Sequence, residues 1–162
     1  VVSGGSLSLA ADVQVDVREL VYWARCVLDP RASVDSVALP DAGIEGDLLP
    51  GWCDDWVLLE RERLRQLRMH SLEVVADRLS AAGRHADALQ AAYAAIRAEP
   101  LRESAHRVVI RVHLAEGNVG EAVRAYVLFR TILADELGIS PTEQMTRLVR
   151  GIRRSRASDP CR

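Results

Sequence analysis

The residues best suited to chemistry here are arginines. Arg61, Arg65 and Arg68 recur at helical spacing in the middle of the chain, and Arg107 and Arg111 repeat that spacing further on. A guanidinium is always charged and offers a planar fork of donors that fits carboxylates and phosphates. Two uses follow. The stripe can pair with Glu60, Glu62 or an acidic neighbour, or it can line an inner surface for an anionic partner such as an acidic peptide. Trp52 and Trp56 stand four apart beside Asp54 and Asp55, so both indoles can share one face where the chain enters a helix. They serve either as core packing or as a contact for a partner.

The other reactive groups are poorly placed. His106 and His113 lie seven apart with no carboxylate or cysteine at ligand spacing, and they read as surface histidines. Cys26, Cys53 and Cys161 are odd in number and scattered, without a C-x-x-C pair. Packing roles for Cys26 and Cys53, in a reduced cytoplasmic setting, are the expectation. Glu60 and Glu62 are two apart on a helix and diverge, as do the adjacent His70 and Ser71. No P-loop, dinucleotide fingerprint, HExxH or G-x-S-x-G occurs. No catalytic, cofactor-binding or metal-ligating residue is therefore expected, and an enzymatic reading has nothing to stand on.

The chain must bury a core to hold these groups, and at 162 residues with 49% hydrophobic composition it can do so as one compact domain. All 21 basic residues are arginine, yet the formal charge is −2. That balance argues against a grip on nucleic acid through its phosphates. No signal peptide or membrane-length apolar run is present, so no membrane partner is expected. The chain opens on Val1 inside strand-like alternation (Ser6 to Leu9, then Val13 and Val15) after a Gly4-Gly5 turn. It reads as a piece of something longer.

The positioning elements are helices organised by a repeat. Gly83 and Gly117 are 34 residues apart, as are Ala88 and Ala122, and Leu89 and Val123. That period belongs to tetratricopeptide helix pairs joined by a tight turn. The expected fold is all-α: antiparallel tetratricopeptide-like helix pairs in a right-handed α-solenoid, with a short N-terminal β-ribbon. Asp16 caps a first helix with the apolar stripe Val17, Leu20, Val21, Ala24 and Leu28. Residues 30–51, holding three of six prolines and three glycines, form a connection. A long helix over 54–82, capped by Asp54 or Asp55, turns Trp56, Leu64, Leu67, Ser71, Val75 and Leu79 inward. Glu62, Gln66, His70, Glu73 and Asp77 then face water.

An alanine-rich helix follows over 84–98, ended by Glu99-Pro100. The next carries Ala105, Val108, Val109 and Val112 inward. A helix over 119–137, through Ala122, Tyr126, Phe129, Leu133 and Leu137, ends at Gly138. Ser140, Pro141 and Glu143 then supply an N-cap, an N1 proline and a capping-box acid. The last helix, with Met145, Leu148, Val149 and Ile152, covers the open end of the array.

Three phrases are more specific than the repeat: GDLLPGWCDDWVLLERERLRQL at 46–67, EPLRESAHR at 99–107 and DELGISP at 135–141. Together they resemble the bacterial transcriptional activator domain of Streptomyces-antibiotic-regulatory-type activators, over roughly 16–152. The resemblance implies residues 1–15 as the tail of an upstream winged-helix DNA reader and 16–152 as the helical module, while the charged residues 153–162 read by themselves as a disordered tail. It implies a module for self-association as a homodimer, for contact with RNA polymerase or another protein, or for effector sensing. DNA would be held only through the upstream domain. The family's tryptophan–acidic phrase corresponds to Trp52, Asp54, Asp55 and Trp56, with Cys53 where an aromatic is expected. A stand-alone adaptor that takes an acidic peptide on the arginine stripe is the other reading.

Overall fold

The computed structural model describes residues 2–3, 6–7, 10, 13–33 and 46–157, with only the backbone considered for 2–3, 6–7 and 152–157. Six helices carry the fold: α1 (Asp16–Leu28), α2 (Asp55–Ala81), α3 (His85–Ala98), α4 (Glu103–Ala115), α5 (Val119–Leu137) and α6 (Glu143–Ala157). Two-residue strands β1 (Val2–Ser3) and β2 (Ser6–Leu7) pair antiparallel, Val2 opposite Leu7. The anticipated Gly4-Gly5 turn, residues 34–45 of the connection and 158–162 of the tail lie outside the described residues.

The two turns at the repeated glycines are built alike. Gly83 and Gly117 both take left-handed backbone, at φ 77° and 84°. In each, the amide after glycine reaches back to close a six-residue ring: Arg84 N to Leu79 O at 2.9 Å, and Asn118 N to His113 O at 2.8 Å. The glycine amides add bonds to Ser80 O and Leu114 O. This is the Schellman ending, where a residue with Cβ would be strained. Two helix hairpins result, α2–α3 and α4–α5. The hairpins stack so that residues 34 apart meet: Arg65 of α2 pairs with Glu99 at the end of α3, and Asp77 of α2 with Arg111 of α4.

Two larger clusters and a small one, Leu72 with Ala95 and Ala105, form the core among the described residues. Val27 of α1 joins Val75, Ala76 and Leu79 of α2, the alanines 88, 91 and 92 of α3, and Val108, Val109 and Val112 of α4. Ile110 of α4 instead faces Ala122, Phe129 and Leu133 of α5 and Met145 of α6. Helix α4 therefore belongs to both larger clusters. Small side chains on α3 let it lie close against α2.

Several expectations change where neighbours decide burial. On α2, Leu64, Ser71, Val75 and Leu79 are buried and Leu67 is half-buried, but Val57 takes the inward place given to Trp56. Val57 sits seven residues from Leu64 and eighteen from Val75, which at 100° per residue aligns all three. Glu73 is buried, not solvated, because α4 covers it: Arg102 Nε donates to it at 2.7 Å and Ser104 Oγ at 2.5 Å. Asp16 is the first helical residue rather than a cap, and its Oδ1 accepts from Val17 N. Buried positions on α1 are Leu20, Ala24 and Val27.

The start of α6 also differs. Thr142 holds the capping position expected of Ser140, its Oγ1 accepting from Met145 N at 3.4 Å. The acid that completes this cap comes from α4. Glu103 accepts from Thr142 N at 2.9 Å and from its hydroxyl.

Candidate protein-contact corner

The corner where the chain enters α2 is fixed by Arg61. Its Nε and Nη2 donate to Leu48 O at 3.1 and 2.9 Å, and Nη2 also reaches Leu49 O at 2.9 Å and Trp52 O at 3.3 Å. One guanidinium thus gathers the carbonyls of a whole turn, an arrangement that suits its planar fork. The turn it holds is bent by Leu49 at φ 47° and Gly51 at φ 85°. Leucine in left-handed backbone costs about 1–2 kcal/mol, which the surrounding contacts must offset. Arg68 Nη2 adds a bond to Gly46 O at 3.3 Å.

This frame presents apolar surface outward. Trp52 is 55% exposed, Trp56 57% and Leu59 74%. Of the two readings open for the tryptophans, core packing is excluded by that exposure. The reason lies in helix length. Helix α3 runs back along α2 only to the Arg65–Glu99 pair, and the start of α1 meets α2 near Arg61 and Leu64. Among the described residues of the first two turns of α2, Val57 is the buried one, and Trp56 lies on the side away from it. Cys53 is exposed as well, not packed, and Cys26 is half-buried.

The five candidate arginines are not one surface. Arg61 and Arg68 come together on the 46–52 segment and line a small open cleft with Asp16, Leu20 and Leu64. Arg65 pairs with Glu62 at 2.7 Å and with Glu99. Its fork, helped by Gln66, holds the Glu62 carboxyl at about 2. Arg107 pairs with Glu103 at 2.9 Å, and Arg111 with Asp77 at 2.7 Å.

The histidines are core residues rather than surface ones. His106 stacks on Phe129 with ring centroids 4.2 Å apart, and its Nε2 donates to Pro100 O at 2.9 Å. Burial pushes its pKa below the ordinary value, against the pull of Pro100 O and Glu103. His113 is buried too. For Glu103 burial alone would raise the pKa, but hydrogen bonds from Thr142 and Arg107 outweigh it and hold the carboxyl low.

Leu59 escaped the reading of the sequence, although it lies seven residues from Trp52 and three from Trp56. That spacing was the available signal. The chemistry on offer is recognition: half-exposed indoles and leucines on a fixed turn, beside unshielded carboxylates. The family described as "Bacterial transcriptional activator domain" matches residues 42–153. The Regulatory protein AfsR of Streptomyces coelicolor is 33% identical over 97 residues, which is 60% of this chain and 10% of that protein. Its namesake from Streptomyces griseus is 31% identical over 96 residues, 59% of this chain and again 10% of that protein. The chain thus spans about a tenth of the curated relatives it matches. It belongs to the bacterial transcriptional activator domain family.

Proposed function

We propose that this chain is the protein-contact module of a cytoplasmic, DNA-binding transcriptional regulator, acting without a cofactor or catalysis of its own. DNA is held by a winged-helix domain upstream, and the module's partners are another copy of itself or the transcription machinery. Its two hairpins act as a tetratricopeptide-like solenoid, a rigid mount for contact surfaces. The observation that carries the reading is the corner at Trp52, Trp56 and Leu59, held in solvent by a braced turn. Tryptophan anchors on fixed frames are typical of interface hot spots.

The arginine row supports a different role. Arg65, Arg107 and Arg111 already hold carboxylates of their own or neighbouring helices, which favours struts over a lining. An acidic peptide would have to displace those carboxylates.

The test is a promoter reporter driven by the full-length regulator, with DNA binding measured alongside. Trp52→Ala with Trp56→Ala should cut activation at least about tenfold, the loss of two anchors, while promoter affinity stays within about twofold. Undiminished activation by the double variant overturns the reading.

A further inference from the structure

The formal charge of −2 conceals a segregation. Helix α6 holds five arginines, at positions 147, 150, 153, 154 and 156, against one acid, Glu143. It therefore carries +4, and the rest of the chain −6. At 100° per residue, positions 147, 150 and 154 fall within an arc of about 60°, opposite Met145 and Val149. Those two are buried, and Met145 packs with Ile110, Phe129 and Leu133, which turns the side bearing Arg147 and Arg150 outward. Glu103 fixes the start of the same helix through Thr142. Arg147 and Arg150 are exposed, and a Cβ added at the neighbouring Gly151 would meet no atom within 4 Å, so nothing covers this face among the described residues. Arg147 pairs with Glu143 at 2.9 Å on the open surface, where such a pair is weak. Arg150 makes no ion pair or side-chain hydrogen bond among the described residues. Attraction to the negative end of the helix accounts for arginines in its last turn, but not for Arg147 and Arg150, which precede that turn.

We infer that this face of α6 adds phosphate contacts to the DNA flanking the site that the upstream domain reads. The inference rests on the reading of the chain as part of a DNA-binding regulator. The face suits a phosphate backbone better than a protein surface. It offers guanidiniums with no exposed apolar residue among them, whereas protein interfaces are built around an apolar centre. From position 147 to position 154 the helix rises about 10 Å, a length over which duplex DNA presents several phosphates. The fold also brings this face within reach. Helix α1 packs on α2, α2 on α4, and α4 on α6. Three such steps of about 8–10 Å put α6 within about 30 Å of α1, less than one turn of duplex at about 34 Å. A reader joined ahead of α1 therefore leaves α6 able to touch phosphates about one turn from the site. Contacts of this kind add affinity and salt dependence without changing the sequence preferred.

The experiment measures binding of the full-length regulator to two duplexes of its promoter over a salt series. One holds only the base pairs whose sequence matters for binding. The other extends them by about 12 base pairs at each end, a little more than one turn. The variants are Arg147→Gln with Arg150→Gln, and Arg147→Lys with Arg150→Lys. On the long duplex the glutamine pair should lower the slope of log K against log salt by nearly two, about 0.9 for each lost contact. Its affinity there should fall at least about tenfold at physiological salt. The lysine pair keeps the charge and should keep the wild-type slope. On the short duplex all three proteins should bind alike, which also reports an intact fold. An unchanged slope on the long duplex, or an equal loss on both lengths, overturns the inference. So does a loss of activation by the glutamine pair with DNA binding unchanged, the result expected of an acidic protein on this face. A wild-type regulator that binds neither duplex at low salt instead overturns the reading as a DNA-binding regulator, on which the inference rests.

Discussion

At the scale of single residues, the same side-chain types do opposite work depending on where their neighbours end. Arg61 is a charged residue with a structural role, its guanidinium tying the Leu48, Leu49 and Trp52 carbonyls. Trp56 is a large apolar residue that leaves the core alone. Arg61→Lys should therefore destabilise the chain by about 1–3 kcal/mol, since an ammonium cannot reproduce the fork that holds those carbonyls. Trp56→Ala should stay within about 0.5 kcal/mol. Urea denaturation midpoints at matched slopes check the pair, and equal effects would sink the assignment. The sequence could place Trp56 within a broad helical face, because angle is legible from spacing. Which part of that face has a neighbour is not, since it depends on how far α3 and α1 run alongside α2. His106 illustrates the converse. Its spacing offers no ligand partners and suggests a surface group, yet its partners are a ring and a carbonyl, neither of which metal spacing can reveal.

Among elements, the join of α6 to α4 is where pH acts. His106 secures α4 against Phe129 of α5, and Glu103 caps α6 through Thr142. In the unfolded chain His106 titrates near its ordinary 6.5, while the folded imidazole accepts a proton only at lower pH. The unfolded state then binds more protons just below 6.5, so stability falls as pH falls through that window. Glu103 acts in the same sense further down. Its folded carboxyl lies below the ordinary 4.5, and its stabilisation is present above that value and lost as pH falls beneath it. Thermal unfolding should shift to lower temperature between about pH 7.5 and about pH 5.5, and His106→Gln should flatten that part of the profile. An unchanged slope in the variant would remove His106 as the cause. The elements themselves were largely legible: both Schellman glycines, the alanine-rich α3 and the end of α5 at Gly138 follow from local rules. The cap of α6 falls at Thr142 rather than Ser140 because its acid belongs to another helix, and a capping box counts only local neighbours.

Over the whole molecule, stability is distributed unevenly along the array. The cluster shared by α1, α2, α3 and α4 holds ten buried residues, and the one shared by α4, α5 and α6 holds five. The 34-residue period made the order of this stacking legible, since equivalent residues of successive hairpins must meet. The docking of α1 was less so. It buries Leu20, Ala24 and Val27, a line tilted from the stripe its sequence suggests, because the crossing with α2 sets which ridge is covered. The uneven core implies that the chain opens from its C-terminal side. Phe129 is the largest fully buried side chain among the described residues and belongs to the five-residue cluster. Phe129→Ala should cost about 3–5 kcal/mol there, and that loss should appear as faster amide exchange in α5 and α6 while α2 and α3 keep their protection. Helix α4, held by Val108, Val109 and Val112 on the larger cluster, should lose protection only in part. Peptide-resolved hydrogen exchange separates this from the alternative. If all six helices sped up together, the two clusters would be one cooperative unit, and α4 would be transmitting the loss rather than confining it.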